Sequence, residues 1–267
     1  MSSEVETSLD IFAFRNSKRC LYSARNDLDG APPLFASLNV YYDINSHSAA
    51  MNMAVDETLL ENATVPTIRF YRWDHPALSF GYFGRYADVT EQQRDLVRRW
   101  TGGGIVFHGE DLTYSIVVPA SDPAFGESSM SIYEKVHRAL REALMARGER
   151  AELSVVVPVH DRRKPSSPEM TTVTDRRSSD NCFANPVRSD VLLKGRKIAG
   201  AAQRRTRRGL LHQGSIQNID AGNDLAERFA KALSKKIDRR EIDAVIVRRA
   251  QEIAGQKYGT EAWLRRR

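Results

Sequence analysis

Apolar residues recur along most of the chain at the spacings expected of helices and strands. Amphipathic helices are predicted over 48–62 and over 131–147, each with an apolar stripe on one face. Gly148 follows the second of these, and glycine is the residue type that most often ends a helix. Two further helices are predicted near the end of the chain, over 224–234 and 242–255.

Shorter apolar runs, bounded by turn residues, predict strands. These runs cover 67–72, 77–82, 105–108, 112–118, 153–159, 187–193, 197–204 and 210–219. The turn at 109–111 predicts that the runs on either side of it form a hairpin, and a short polar helix is predicted over 91–96. Helices and strands that follow one another in this way indicate an α/β domain.

Two segments lack this periodicity. Residues 1–38 end in a cluster containing Asp29, Gly30 and Pro33 and predict a loosely ordered leader before a domain over 39–267. The stretch 160–180 is rich in Ser, Thr, Pro and Arg, which predicts a mobile loop inside that domain rather than a boundary.

Composition narrows the class of protein. The chain has 267 residues, of which 41% are hydrophobic and 28% are charged, and no apolar run approaches the ~20 residues of a membrane span. Cys20 and Cys182 are the two cysteines, too few for a disulfide framework, so a soluble cytoplasmic protein is expected. The net charge of +6 favours an acidic partner. The arginine-rich turn over 204–209 lacks interleaved aromatic residues, which argues against nucleic acid as the primary partner.

Cys182 and Lys197 are the candidate catalytic residues. Cations at 194–197 and 204–208 follow Cys182 and favour the thiolate, which is the nucleophilic form of cysteine. The competing interpretation is an inert, small apolar residue. Lys197 begins a strand of small residues that leaves room for an aliphatic ligand, whose carbonyl the ammonium would bind. The competing interpretation is a solvated lysine at a hairpin.

Glycines and histidines supply the remaining candidates. Gly102, Gly103 and Gly104 lie between a predicted helix and a predicted strand, where their backbone N–H groups either approach a ligand or form a structural turn. His108 and His212 lie in predicted strands near glycines, whereas the other histidines are predicted at the surface or in turns; these are His47, His75, His137 and His160. Their spacing fits no metal-binding motif, so no metal site is predicted.

Five segments in this order resemble the lipoate–protein ligase and octanoyltransferase family, whose members are related to biotin–protein ligases. The matching segments are 51–57, 68–73, 98–108 with 112–115, 195–204 and 211–216. The resemblance implies an α+β catalytic domain with a mixed β-sheet flanked by helices. It also implies that an acyl chain lies between the glycine loop and the strand that begins at Lys197, which contacts the acyl carbonyl. The substrate-binding residues implied in this way are Arg99, Gly102, Gly103, Gly104, His108, Gly200, Ala202, Gln203 and His212.

The family has two main divisions. Ligases activate free lipoate with ATP and Mg²⁺, whereas octanoyltransferases take octanoate from a carrier-protein thioester and require no cofactor. Cys182, placed upstream of the lysine strand and followed by Pro186 and Asp190, resembles the cysteine-dependent octanoyltransferases, or a related amidotransferase. Gly104 is more typical of the ligases. The order His212-Gln213 inverts the usual Gln-His order, and because adjacent side chains of a strand face opposite sides, the imidazole is expected to point away from the site.

The prediction is therefore a two-step acyl transfer. The Cys182 thiolate takes octanoate from acyl carrier protein, and a lysine of a lipoyl domain then attacks the resulting thioester. The implied acceptors are the lipoyl domains of 2-oxoacid dehydrogenases or the glycine cleavage H protein. No residue is identified as the base for the incoming lysine. The alternatives are an ATP-dependent lipoate–protein ligase and a non-catalytic acyl- or RNA-binding module.

Overall fold

The strands of the protein form two β-sheets. In this computed structural model the described residues are 32–155 and 186–266, and the strands within them are named in chain order. They are β1 Leu38–Tyr42, β2 Thr67–Tyr71, β3 Ala77–Phe80, β4 Asp95–Arg98, β5 Val106–His108, β6 Leu112–Pro119, β7 Ala151–Leu153, β8 Val191–Leu193, β9 Arg196–Arg205, β10 Gly209–Ile216 and β11 Ile237–Arg240.

The larger sheet has eight strands in the order β11-β1-β2-β6-β10-β9-β8-β7, and the smaller has the order β4-β3-β5. Strand β1 is parallel to both of its neighbours, whereas β6, β9 and β10 pair antiparallel, so the large sheet is mixed. Every residue of β6 and β10 is buried, which places these two long strands at the centre of the fold. The predicted mixed sheet is confirmed.

Helices cover both faces of the large sheet. They are α1 Ala49–Asn62, α2 Ser129–Met145, α3 Leu225–Leu233, α4 Ala244–Ile253 and the short α5 Glu261–Leu264. Helices α2 and α3 pack on one face in a cluster that includes Val136, Leu140 and Phe229. Helices α1 and α4 pack on the other face, where Met53 and Ile253 belong to a second cluster. Burial of apolar side chains on two faces makes the sheet the middle layer of the domain.

The helix boundaries follow from caps that the sequence contains. Ser48 accepts a hydrogen bond from Met51 N at the start of α1, and Ser128 accepts one from Ser131 N at the start of α2. Gly148, at φ +85°, follows the end of α2, as expected for a residue in the left-handed region. Predicted and observed bounds of these helices agree within two residues.

Two local predictions are wrong. The runs 105–108 and 112–118 do not form a hairpin, because β5 pairs with β3 in the small sheet and β6 pairs with β2 and β10 in the large one. The polar helix over 91–96 is not formed either. Strand β4 begins at Asp95 and pairs in parallel with β3, so the three glycines follow a strand and not a helix.

The compact unit that the described residues form begins at Leu34. Phe35 is buried in the core, and its backbone N–H donates to the carbonyl of Leu233. The greater part of the predicted leader and the whole of the predicted loop 160–180 lie outside the described residues. Within the described residues, no helix is both long and apolar enough to cross a membrane.

Candidate active site

A cavity of about 690 Å³ lies between the loop that follows β4 and strands β3, β9 and β10. Apolar side chains, among them Met53, Phe80 and Ile105, form much of its lining. Lys197 and Gln213 are among its polar residues. A cavity that has both an apolar part and several polar groups suits a ligand that has a long apolar part and a polar end.

The glycine loop is closed by the side chain of Arg99. Its guanidinium donates to the carbonyl oxygens of Gly102, at 3.1 Å, and Gly104, at 2.8 Å. Gly103 has φ +84°, a conformation that favours glycine. The loop also lies against Gly81, where a Cβ would be only 2.0 Å from the Gly103 oxygen. This close approach explains why glycine occupies position 81.

Lys197 lies at the cavity wall in a buried ion pair. Its Nζ is 2.8 Å from Asp190 Oδ2, and only 5% of the lysine side chain and none of the aspartate side chain is exposed. The pair lies against Gly200, where a Cβ would be 2.6 Å from Cε and 2.8 Å from Nζ of Lys197. The lack of a side chain at Gly200 therefore makes room for the ion pair.

Asp190 is itself held by two hydrogen bonds from other segments. Tyr133 of α2 donates to Oδ1 at 2.5 Å, and Val187 N donates to Oδ2 at 2.6 Å. One turn further along α2, His137 Nδ1 is 2.7 Å from the carbonyl of Ser189, which has φ +67°. Burial, with Asp190 beside it, raises the pKa of Tyr133, so the phenol stays a donor. Helix α2 thus fixes the turn that carries the carboxylate.

His108 lies between a serine and an aspartate. Its Nε2 is 2.6 Å from Ser79 Oγ and its Nδ1 is 2.8 Å from Asp111 Oδ2, while the ring stacks on Trp73 with centroids 4.0 Å apart. Ser79 Oγ also accepts a hydrogen bond from Arg99 at 2.7 Å. Burial lowers the pKa of His108, although the hydrogen bond to Asp111 opposes this effect. The imidazole is therefore neutral at neutral pH.

Neighbouring residues His212 and Gln213 face opposite sides of β10, as expected from their inverted order. Gln213 lines the cavity, and its amide links Thr101 of the glycine loop, at 2.9 Å, to Asp56 of α1, at 2.7 Å. His212 is buried on the other side of the sheet, where Gln203 Nε2 lies 2.9 Å from its Nδ1. Burial lowers the pKa of His212 well below its ordinary value, which keeps the ring neutral.

A buried cluster of charged residues lies next to the cavity wall, between β2 and α1. The fully buried guanidinium of Arg69 donates to Asp43 Oδ2 at 2.8 Å and to Asp56 Oδ1 at 2.9 Å. It also donates to the side-chain oxygen of Asn52 at 2.8 Å. Because Asp56 in turn accepts from Gln213, the cluster connects β2 and α1 to the cavity wall. In the sequence, this cluster is indicated by Arg69, a charged residue at the centre of the apolar run that forms β2.

The structure brings most of the predicted site residues to one cavity. Those that line it are Arg99, Gly103, Gly104, His108, Lys197, Gly200 and Ala202. Gly102, Gln203 and His212 do not line it. Cys182 lies outside the described residues, as does Cys20. The roles given to all of these residues stay predictions.

Other functional candidates were missed or misplaced. Tyr133 and Ser79 were not singled out, and Asp190 was given no role, because their partners are distant in the sequence. His137, expected at the surface, is fully buried; its Nδ1 donates to the carbonyl of Ser189, and its Nε2 has no hydrogen-bond partner among the described residues. His160 lies outside the described residues. Over 32–155 and 186–266, no three His, Cys, Asp or Glu side chains are grouped so that they could hold a metal ion.

A mixed sheet flanked by helices, with a cavity between a glycine loop and a buried lysine, agrees with the lipoate-ligase-like catalytic domain that the sequence resemblance implies. Residues 48–257 match the family described as the lipoyl protein ligase A/B catalytic domain, and the chain belongs to this family. The predicted family and fold class are confirmed.

Relatives of known name agree with this assignment. Octanoyltransferase LipM of Brevibacillus brevis is 33% identical over 76% of this chain and 74% of its own length. Octanoyltransferase LipM of Bacillus cereus is 36% identical over 66% of this chain and 64% of its own length. The solved structure of lipoate-protein ligase A bound with ATP is 20% identical, covers 85% of this chain and 98% of its own, and has a TM-score of 0.63, which supports the fold. The predicted enzyme class, an octanoyltransferase, is confirmed.

Proposed function

We propose that this protein transfers an octanoyl group from acyl carrier protein to a lysine of a lipoyl domain through a thioester on Cys182. Both acyl carrier protein as the donor and the acceptors are implied by the sequence resemblance. The acceptors are lipoyl domains of 2-oxoacid dehydrogenases or the glycine cleavage H protein. The relatives named octanoyltransferase LipM support this substrate class.

The buried Lys197–Asp190 pair at the cavity wall is the observation that carries the proposal. An acyl chain occupies the apolar part of the cavity, and its carbonyl lies near the ammonium. Negative charge develops on the carbonyl oxygen when a nucleophile attacks, and a cation fixed beforehand in a buried site stabilises that charge more than solvent does. The carboxylate of Asp190 keeps the ammonium in place between turnovers.

Cys182 is the proposed nucleophile. In the sequence it precedes Val187, which lines the cavity, by five residues, and five residues of chain reach no further than about 18 Å. The chain therefore permits the thiol to reach the acyl carbonyl. In the first step a bond forms between the Cys182 sulfur and the acyl carbon, and the carrier leaves as a thiol. In the second step the lysine amine displaces the Cys182 sulfur and an amide forms.

This sequence of steps requires no ATP. Exchange of one thioester for another is nearly balanced in free energy, and conversion of a thioester to an amide is favourable. A ligase, in contrast, starts from a free acid and must activate it with ATP and Mg²⁺. The two reactions therefore differ in their acyl donor, and an experiment can separate them.

The test is incubation of the full chain with octanoyl acyl carrier protein in the absence of ATP, followed by intact mass measurement. We expect one octanoyl adduct that hydroxylamine removes, and transfer of this octanoyl group to a lipoyl domain added afterwards. Cys182→Ala abolishes the adduct, whereas the matched variant Cys20→Ala retains it.

Two results would contradict the proposal. If the lipoyl domain becomes labelled only when free lipoate and ATP are supplied, the protein is a ligase. If octanoate binds but neither the chain nor the lipoyl domain is acylated, the protein is a binding module.

A further inference from the structure

We propose that Ser79, His108 and Asp111 form a proton relay that acts as the general base when the incoming lysine attacks the acyl-enzyme. The inference rests on the proposed function, because it assigns a group to the second of the two steps. In this relay Ser79 receives the proton of the amine, and His108 and Asp111 act through Ser79 as positioning and proton-accepting residues.

The direction of each hydrogen bond follows from the donors available. Arg99 is donor-only, so Ser79 Oγ accepts from it at 2.7 Å. Hydrogen bonds from His108, Ser215 and Gly109 offset the effect of burial and lower the pKa of Asp111 to about 2. An ionised Asp111 accepts from His108 Nδ1 at 2.8 Å. In the neutral ring Nε2 is then an acceptor, and Ser79 donates its proton to it at 2.6 Å.

The charges that face His108 favour a neutral ring with a defined tautomer. Arg99 at the end of β4 and Arg94 just before β4 both lower its pKa, in the same direction as burial. Asp111, from the loop before β6, is the opposing charge. Asp111 is held in turn by the hydroxyls of Thr113, at 2.8 Å, and Ser215, at 2.7 Å. The Nε2 atom of His108 therefore carries no proton at rest and is held in place by its neighbours, so it is suited to accept one.

Two members of the relay lie in the cavity where the second step is proposed to occur. Ser79 and His108 line the same cavity as Lys197 and Gly200. An ammonium ion has three donors and no acceptor, so Lys197, while it is paired with Asp190, cannot take a proton from the amine. The serine–imidazole pair supplies the acceptor that this step requires.

The proton transfers balance over the step. The amine nitrogen bonds to the acyl carbon and its proton passes to Ser79 Oγ, as the serine proton passes to His108 Nε2. The bond from carbon to the Cys182 sulfur then breaks. The imidazolium returns its proton by the same path to the leaving thiolate. The products are the amide and the free Cys182 thiol, and the relay is restored.

Separate measurement of the two half-reactions tests the relay. Ser79→Ala and His108→Gln are each mixed with octanoyl acyl carrier protein, and release of the carrier thiol reports the first step. Addition of a lipoyl domain to the acyl-enzyme then reports the second step. We expect octanoyl transfer to slow at least about 100-fold, the lower range for loss of a general base, and carrier release to slow far less than transfer does. The deficit shrinks as the pH approaches 10, because hydroxide then takes the proton from the attacking amine nitrogen in place of the relay.

The buried serine Ser234 provides the matched control, since its hydroxyl donates to the carbonyl of Lys236 on another part of the fold. Ser234→Ala is expected to leave both half-reactions unchanged. Unchanged transfer in Ser79→Ala and His108→Gln would overturn the relay. So would an equal loss of both steps that is independent of pH, since this is the result of structural damage. A wild-type chain that forms no acyl-enzyme overturns the proposed function instead.

Discussion

The ammonium of Lys197 lies 2.8 Å from a carboxylate oxygen of Asp190, and both side chains are buried at the wall of the cavity. The same Asp190 oxygen accepts the N–H of Val187, five residues after Cys182 in the sequence. One carboxylate therefore fixes both the proposed oxyanion-binding group and the start of the described segment that follows the proposed nucleophile. Because Asp190 holds the ammonium of Lys197 in a buried site, the ammonium keeps its position without reorganisation during the reaction.

Removal of the negative charge of Asp190 is expected to impair catalysis more than binding. Asp190→Asn retains the shape of the side chain but leaves Lys197 without its carboxylate, so the ammonium is no longer held toward the acyl carbonyl. We expect kcat for octanoyl transfer to fall about 100-fold, the size seen for loss of one oxyanion donor, with little change in KM. Steady-state kinetics with octanoyl carrier protein measure both. Asp224→Asn, at an exposed aspartate, is the control. A rise in KM with unchanged kcat in Asp190→Asn would contradict this role.

Gly200 provides a test that leaves the charges in place. In Gly200→Ala the new methyl group would be 2.6 Å from Cε of Lys197, so the flexible end of that side chain must move. We expect a folded protein whose thermal midpoint is close to that of the wild type and whose transfer rate is at least about tenfold lower. Gly255→Ala, where nothing lies within 4 Å of the new Cβ, is the control. A wild-type rate in Gly200→Ala would show that the position of the ammonium is unimportant.

The periodic elements could be predicted from the sequence. Apolar spacing was sufficient to predict α1 and α2 to within two residues, because this signal is local. The hairpin predicted around 109–111 failed for the opposite reason. The strands on either side of the turn are both present, but their partners are β3 on one side and β2 with β10 on the other. Local sequence does not determine such long-range pairing.

The site was predictable only in part for a similar reason. Lys197, His108 and the glycine loop lie in segments that resemble a family, and the structure brings them to one cavity. Tyr133 matters because it donates a hydrogen bond to Asp190, the partner of Lys197. Tyr133 and Asp190 are 57 residues apart in the sequence, so no periodic pattern indicates their contact. His137 was misplaced because the carbonyl that binds its Nδ1 belongs to a residue 52 positions away in the sequence.

Arg69 is expected to contribute strongly to the stability of the domain. Arg69→Met removes the buried cation that neutralises Asp43 and Asp56, and an uncompensated buried charge costs about 3–5 kcal/mol. Urea unfolding at pH 7 measures the free energy of unfolding. Arg228→Met, which breaks an exposed ion pair with Asp224, is the control and should leave the unfolding midpoint nearly unchanged. Equal effects of the two substitutions would contradict the role of the buried cluster.

Stability should fall as the solution becomes acidic because several histidines, among them His137 and His212, are buried in neutral form. Burial lowers the pKa of His137 to about 4, and that of His212 lies well below its ordinary value. Between pH 6.5 and pH 4 the unfolded chain therefore binds protons that the folded chain does not, so the free energy of unfolding decreases with falling pH. The shift at His137 alone corresponds to about 3 kcal/mol. Urea unfolding from pH 7 to pH 4.5 measures this slope, which His137→Gln should reduce and which His75→Gln, at an exposed side chain, should not. A slope that is the same in all three proteins would show that His137 does not contribute to the acid sensitivity.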